Sequence, residues 1–176
     1  AARRGARALG VEYNPDMAKL ASCLVTAEGV GNKTRIIQGD IFKEDFSKAT
    51  VITMYLLPEL NLCVRHRILG MKPGTRVTSH QFTMGDWEAD ETSEFEYRTA
   101  YLWIVPARVD GTWVLRDASG ASTAVNLTQT FQKLTGDVVS GVVGTLIVLE
   151  FARRTAGLAL PIIATVVLGI FTLWHL

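Results

Sequence analysis

Val51-Ile52-Thr53-Met54-Tyr55-Leu56-Leu57-Pro58 decides how this chain is read. The run is nearly continuous in branched and apolar residues, is too short for a helix and is closed by a proline, which describes a strand buried on both faces, as in a parallel sheet. Two similar runs precede it. Ala8-Leu9-Gly10-Val11-Glu12 ends in an acid, and Thr34 to Gln38 leads into Gly39-Asp40-Ile41-Phe42. Between the first two runs, Asn14 is placed to cap a helix with Pro15 at its first position, where the missing N–H costs nothing. That helix is expected to reach about Glu28, with Met17, Leu20, Ala21 and Leu24 as its inward stripe and Gly29 or Gly31 ending it.

After Pro58, a second helix is predicted to Gly70, with Leu60, Val64 and Leu69 pointing inward, and Lys72-Pro73-Gly74-Thr75 turns the chain into a fourth strand, Arg76 to Phe82. Alternating strands and helices of this kind predict an α/β fold with a doubly wound parallel sheet. The pattern then changes. Met84 to Asp90 reads as an acidic loop, while Tyr97 to Val109, Gly111 to Arg116 and Ser122 to Leu134 read as strands of an antiparallel extension.

The formal net charge of the 176 residues is +1, and only Arg3, Arg4 and Arg7 cluster, so nucleic-acid binding by bulk charge is not expected. Cys23 and Cys63 have neither CxxC nor Cys/His spacing, which predicts no metal site and a reducing compartment; Cys23 reads as a small buried hydrophobe. His66 lies between Arg65 and Arg67 on a solvated face, and His80 ends a strand without a partner at triad or metal spacing. Trp87 and Trp103 read as packing residues.

Glu12 and Asp40 are the first candidate ligand-binding residues. In an open parallel sheet, ligands bind beyond the carboxyl ends of the strands. A carboxylate there can accept hydrogen bonds from two ribose hydroxyls or from an adenine amino group, and Ile41 and Phe42 would supply an apolar wall beside it. The same acids can equally be solvated turn residues or helix caps.

The series Gly10-Val11-Glu12-Tyr13-Asn14-Pro15, Gln38-Gly39-Asp40-Ile41-Phe42, Ala49 to Glu59 with its Tyr55-Leu56-Leu57-Pro58, and Lys72-Pro73-Gly74-Thr75-Arg76-Val77-Thr78-Ser79-His80 resembles the class I S-adenosylmethionine-dependent methyltransferases. Met84-Gly85-Asp86-Trp87 and Tyr101 to Ala107 continue the likeness, which covers roughly residues 1–136. It implies a Rossmann-like methyltransferase domain that uses S-adenosyl-L-methionine and methylates an amine such as a protein lysine. Glu12 and Tyr13 would contact the ribose, Asp40 and Ile41 the adenine, and Tyr55, Leu57 and Pro58 would face the methyl group and its acceptor. Tyr55 can equally be a packing residue, and because Met54 to Pro58 differs from the Asn/Asp-Pro-Pro-aromatic motif of many amino-methylating enzymes, the acceptor atom stays open. In this family a glycine-rich cofactor loop follows the first strand, and none precedes Arg3; the expectation is an N-terminally truncated domain with impaired cofactor binding.

Residues 138–176 read as a hydrophobic tail distinct from the domain at 1–137. Leu158 to Leu176 contains no Asp, Glu, Lys or Arg over nineteen residues, which at about 1.5 Å per residue nearly covers a hydrocarbon core of roughly 30 Å. The prediction is a transmembrane helix at 158–176 that anchors a cytoplasmic domain, with Arg153 and Arg154 on the inner side. Glu150 to Pro161 also resembles a stretch of TRAP-type fused permease subunits. The alternative to an enzyme is a non-catalytic membrane-anchored scaffold or a fragment of such a transporter.

Overall fold

The computed structural model describes residues 1–116, 119–120, 122–138 and 146–150. After a short 3-10 turn at Ala2–Arg4, strand β1 (Ala8–Glu12) leads into helix α1 (Pro15–Ala27), and β2 (Thr34–Gln38) returns parallel to β1. Asn14 opens α1 as its sequence predicts: its side-chain oxygen accepts from the N–H groups of Asp16 and Met17 at 2.9 and 3.2 Å, satisfying two of the donors that a helix start leaves free.

A second unit follows. Strand β3 (Val51–Met54), helix α2 (Pro58–Leu69) and β4 (Arg76–His80) form a right-sized β-α-β unit in which β3 and β4 are parallel. The hairpin β5 (Glu91–Phe95) and β6 (Arg98–Ile104) then joins antiparallel, with β6 beside β4, giving the order β3-β4-β6-β5. The remaining strands, β7 (Gly111–Arg116), β8 (Ser122–Thr130), β9 (Lys133–Val138) and β10 (Leu146–Glu150), make a separate antiparallel sheet ordered β10-β9-β8-β7.

The core lies between α2 and the β3-β4-β6-β5 sheet, where Val64, Ile68, Val77, Met84, Trp87, Trp103 and Val105 are buried. Fully burying side chains of this size contributes about 1.5–3 kcal/mol each before chain entropy is counted. The two tryptophans pack there, as their sequence context predicts, with ring centroids 6.2 Å apart, and the Trp103 indole N–H donates to the Trp87 carbonyl at 2.8 Å. The buried face of α2 is Asn61, Val64 and Ile68: Val64 is as predicted, while Asn61 and Ile68 stand in for the neighbouring Leu60 and Leu69, which are half-buried. Asn61 is polar, and its amide donates to Ser79 Oγ at 3.0 Å and to the carbonyls of Phe82 and Thr83 at 3.2 and 3.3 Å, while its Oδ1 has no partner among the described residues. It thereby ties α2 to the end of β4.

Several expectations are corrected. The parallel strands do not form one doubly wound sheet; β1-β2 and β3-β4 belong to separate ladders, and no hydrogen-bonded pairing among the described strands joins them. On α1 only Ala18 is buried, whereas Met17, Leu20 and Leu24 are 52%, 50% and 55% exposed and Cys23 is exposed, since the helix packs chiefly on its own two strands. The predicted transmembrane helix and the membrane-anchored cytoplasmic placement built on it find no support in the described structure. No helix among the described residues is long and apolar enough to cross a membrane, and the described part of the tail, Leu146–Glu150, is extended and paired with β9. Residues 158–176 lie outside the described residues.

Candidate functional site

The first cluster of predicted site residues sits where β1 and β2 end. Parallel pairing places Glu12 opposite Gln38, and beyond that pair the Gly39 N–H donates to the Glu12 carbonyl at 2.9 Å, holding Asp40 beside the end of β1. Each carboxylate is partly buried and engaged locally. Glu12 Oε1 accepts from the Asn14 N–H at 2.9 Å, and Asp40 Oδ1 accepts from the Phe42 N–H at 2.9 Å, while Lys43 Nζ stands 3.7 Å from Asp40 Oδ2. A carboxylate has about four acceptor positions, so each retains capacity for further donors. Ile41 leans on the main core, and its carbonyl accepts from Arg67 at 2.5 Å. Tyr13 projects into solvent. This acceptor set fits the ribose and adenine edges of S-adenosylmethionine: carboxylates at two adjacent strand ends, with an apolar residue alongside.

The second cluster sits where β3 and β4 end. Tyr55, the residue after β3, is 82% exposed, and its ring stacks on His80, the last residue of β4, at 4.9 Å between centroids and 30° between planes. His80 Nε2 is buried without a hydrogen-bond partner among the described residues. Leu57 and Pro58 follow on the surface, Leu57 as the cap of α2 and Pro58 at its first turn. No hydrogen bond or ring contact among the described residues joins the Glu12–Asp40 cluster to the Tyr55–His80 pair. Two shallow concavities of the described surface lie elsewhere, along α1 at Lys19, Cys23 and Ala27 and beside Leu24 and Glu28.

The sequence gives no partner for His80, and the structure supplies one. The signal was present in the topology, because the ends of adjacent parallel strands are neighbours: residues closing β3 and β4 must meet. Gln81, next in the chain, was also overlooked. It adopts a left-handed backbone (φ 65°), a costly conformation for a side chain of this type. Its N–H donates to the Thr99 carbonyl at 2.7 Å, its Oε1 accepts from the Thr99 N–H at 2.6 Å, and its Nε2 donates to the Tyr97 carbonyl at 3.4 Å, clamping the β5–β6 hairpin to the end of β4. His66 is exposed, as predicted.

Two carboxyls flank these clusters with altered acidity. The Arg65 guanidinium bonded to Asp86 holds that carboxyl below its usual range. The N–H of Ser47, which donates to Asp45 at 2.9 Å, does the same for Asp45 in the loop between the two units.

Comparison with known proteins places this geometry. A family model described as the ANTKMT methyltransferase domain matches residues 1–91, a range that contains both clusters. A protein-lysine N-methyltransferase of Saccharolobus islandicus (strain REY15A) is 35% identical over 104 residues, which cover 56% of this chain and 65% of that protein, so the match spans less than two thirds of the relative. The crystal structure of an RNA methyltransferase from Salinibacter ruber in complex with S-adenosyl-L-homocysteine superposes with a TM-score of 0.58 at 42% identity, covering 60% of this chain and 69% of that one. The likeness of Glu150 to Pro161 to a TRAP-type permease receives no support, since the family match ends well before it. With more than half of its length matched by the family model, this chain belongs to the ANTKMT family of class I S-adenosylmethionine-dependent methyltransferase domains.

Proposed function

We propose that the chain takes part in methyl transfer from S-adenosylmethionine to the side-chain amine of a protein lysine. The observation that carries this reading is the pair of acceptors, Glu12 and Asp40, held together at the ends of β1 and β2 by the Gly39 to Glu12 hydrogen bond. Glu12 and Tyr13 would hold the ribose, and Asp40 and Ile41 the adenine. S-adenosylmethionine, when bound, supplies a methyl group on a sulfonium sulfur, and transfer to a neutral amine forms one N–C bond as one S–C bond breaks. The protein's share is then largely orientation. Tyr55, Leu57 and Pro58 form the exposed rim against which an acceptor amine would be positioned, and the His80 ring beneath Tyr55 fixes that rim.

Protein lysine is the acceptor named for the Saccharolobus relative and RNA the one named for the Salinibacter relative. Charge favours the protein. The net charge is only +1, and Glu91, Glu94 and Glu96 lie exposed with no Lys or Arg among them, a surface that repels phosphates.

Calorimetric titration with S-adenosylhomocysteine tests the reading. Saturable heat is expected, and Glu12→Gln or Asp40→Asn should weaken binding about ten-fold or more, as loss of a hydrogen bond to a charged group does. A folded chain that gives no heat would refute the proposal.

A further inference from the structure

We propose that the β5–β6 hairpin is the docking lip for the acceptor, and that it selects a basic, lysine-bearing segment of a protein. The inference rests on the methyl-transfer reading and adds the surface that recognises the acceptor. Register locates the lip. His80 at the end of β4 pairs with Ala100 of β6, which pairs with Ser93 of β5, so Glu94, Phe95, Glu96 and Tyr97 extend past the end at which Tyr55 and His80 lie. From β3 to β6 is two strand spacings, about 10 Å, within reach of one bound peptide.

What the lip presents is unusual for a hairpin tip. Phe95 is 73% exposed and Tyr97 96% exposed, two aromatic rings in water within three residues. Glu96 between them has a left-handed backbone (φ 55°), and the Gln81 clamp fixes the carbonyl of Tyr97. The aromatic tip is therefore held rather than tucked away. Asp86 and Glu88 are neutralised by Arg65 and Lys133, whereas Glu91, Glu94 and Glu96 lie exposed and form no ion pair among the described residues. Exposed rings beside uncompensated carboxylates complement Lys and Arg side chains, whose apolar stems lie on rings while their charges meet carboxylates. A nucleic acid, itself negative, would meet charge of its own sign. The tip also falls beyond residue 91, where the family match ends, as a surface that chooses among acceptors on a shared cofactor-binding unit would.

The test is fluorescence anisotropy of a labelled Lys/Arg-rich peptide with the full chain, its Glu94→Lys/Glu96→Lys and Phe95→Ser/Tyr97→Ser variants, and competition by an acidic peptide and by single-stranded RNA. The basic peptide should bind in a salt-sensitive way, lose about ten-fold in affinity with either double variant, and resist both competitors. Unchanged affinity in both variants, or tighter binding of RNA, would overturn the lip. If the charge reversal unfolds the chain by circular dichroism, Glu94→Gln/Glu96→Gln takes its place with the same sign of effect. Titration of the same samples with S-adenosylhomocysteine separates the two claims: a chain that binds the peptide through the lip but not the nucleoside product keeps the docking surface and loses the methyl-transfer reading.

Discussion

Helices α1 and α2 are thirteen and twelve residues long, and each begins with a proline, yet they meet opposite surroundings. The first has the cleaner apolar stripe and leaves it in water; the second has a mixed sequence and buries Asn61, Val64 and Ile68 without exposure of consequence. Periodicity states which face a helix could bury, and only a partner makes the burial happen. α2 has a four-stranded sheet, a tryptophan pair and the Met84–Trp87 turn to pack on. α1 has two strands.

Truncating one residue in each helix probes the contrast most directly. Ile68→Ala should cost about 2–5 kcal/mol, because a buried cavity is left behind, whereas Leu20→Ala should stay within about 0.5 kcal/mol. Urea midpoints of the two variants measure this, and similar losses would mean that α1 is covered in solution.

A smaller effect probes how the packed unit is joined to its rim. Asn61→Ala removes the amide that links α2 to Ser79, Phe82 and Thr83, leaving two carbonyls and a hydroxyl to find other partners. A loss of about 1–3 kcal/mol is expected. Because the bond holds the chain just past His80, the near-ultraviolet dichroism of the Tyr55–His80 region should change as well; an unaltered spectrum with an unaltered midpoint would show that the link carries no weight.

Much of this was legible in the residues. Asn14-Pro15 marks the start of α1, Lys72-Pro73-Gly74 the turn before β4, and the Tyr55-Leu56-Leu57-Pro58 run the family. Three things were not. The strand Glu91–Phe95 is wholly exposed at a sheet edge and has no apolar alternation to betray it. Asn61 is polar, and burial of a polar group depends on hydrogen bonds to residues 18 to 22 positions away, which no local pattern encodes. The tail is the third: the membrane reading rests on the apolar run 158–176, which lies outside the described residues, whereas Leu146–Glu150 ahead of it pairs with β9 as a strand that its own residues had not announced. For the site, strand-end acids were readable from position, whereas the stacking of Tyr55 on His80 and the Gln81 clamp came only from knowing which strands are neighbours.

The smallest predicted effect concerns the exposed edge of the packed unit. Asp86 receives a hydrogen bond from Arg65, whose guanidinium also donates to the Met84 carbonyl at 2.6 Å and lies 5.4 Å from the Phe131 ring centroid. The bond to Arg65 lowers the pKa of Asp86 in the folded state below its unfolded value. The contribution is therefore complete above the ordinary carboxylate range and is lost as pH falls through the lowered value. Asp86→Asn should reduce the urea midpoint slightly at neutral pH and progressively less as the solution is acidified, the two proteins converging once Asp86 is protonated in both states. The effect is small because the carboxylate is exposed and Arg65 keeps its other two contacts. A difference that persisted unchanged into acid would show that Asp86 acts through the shape of the Met84–Trp87 turn, where Gly85 has a left-handed backbone (φ 68°), and not through its charge.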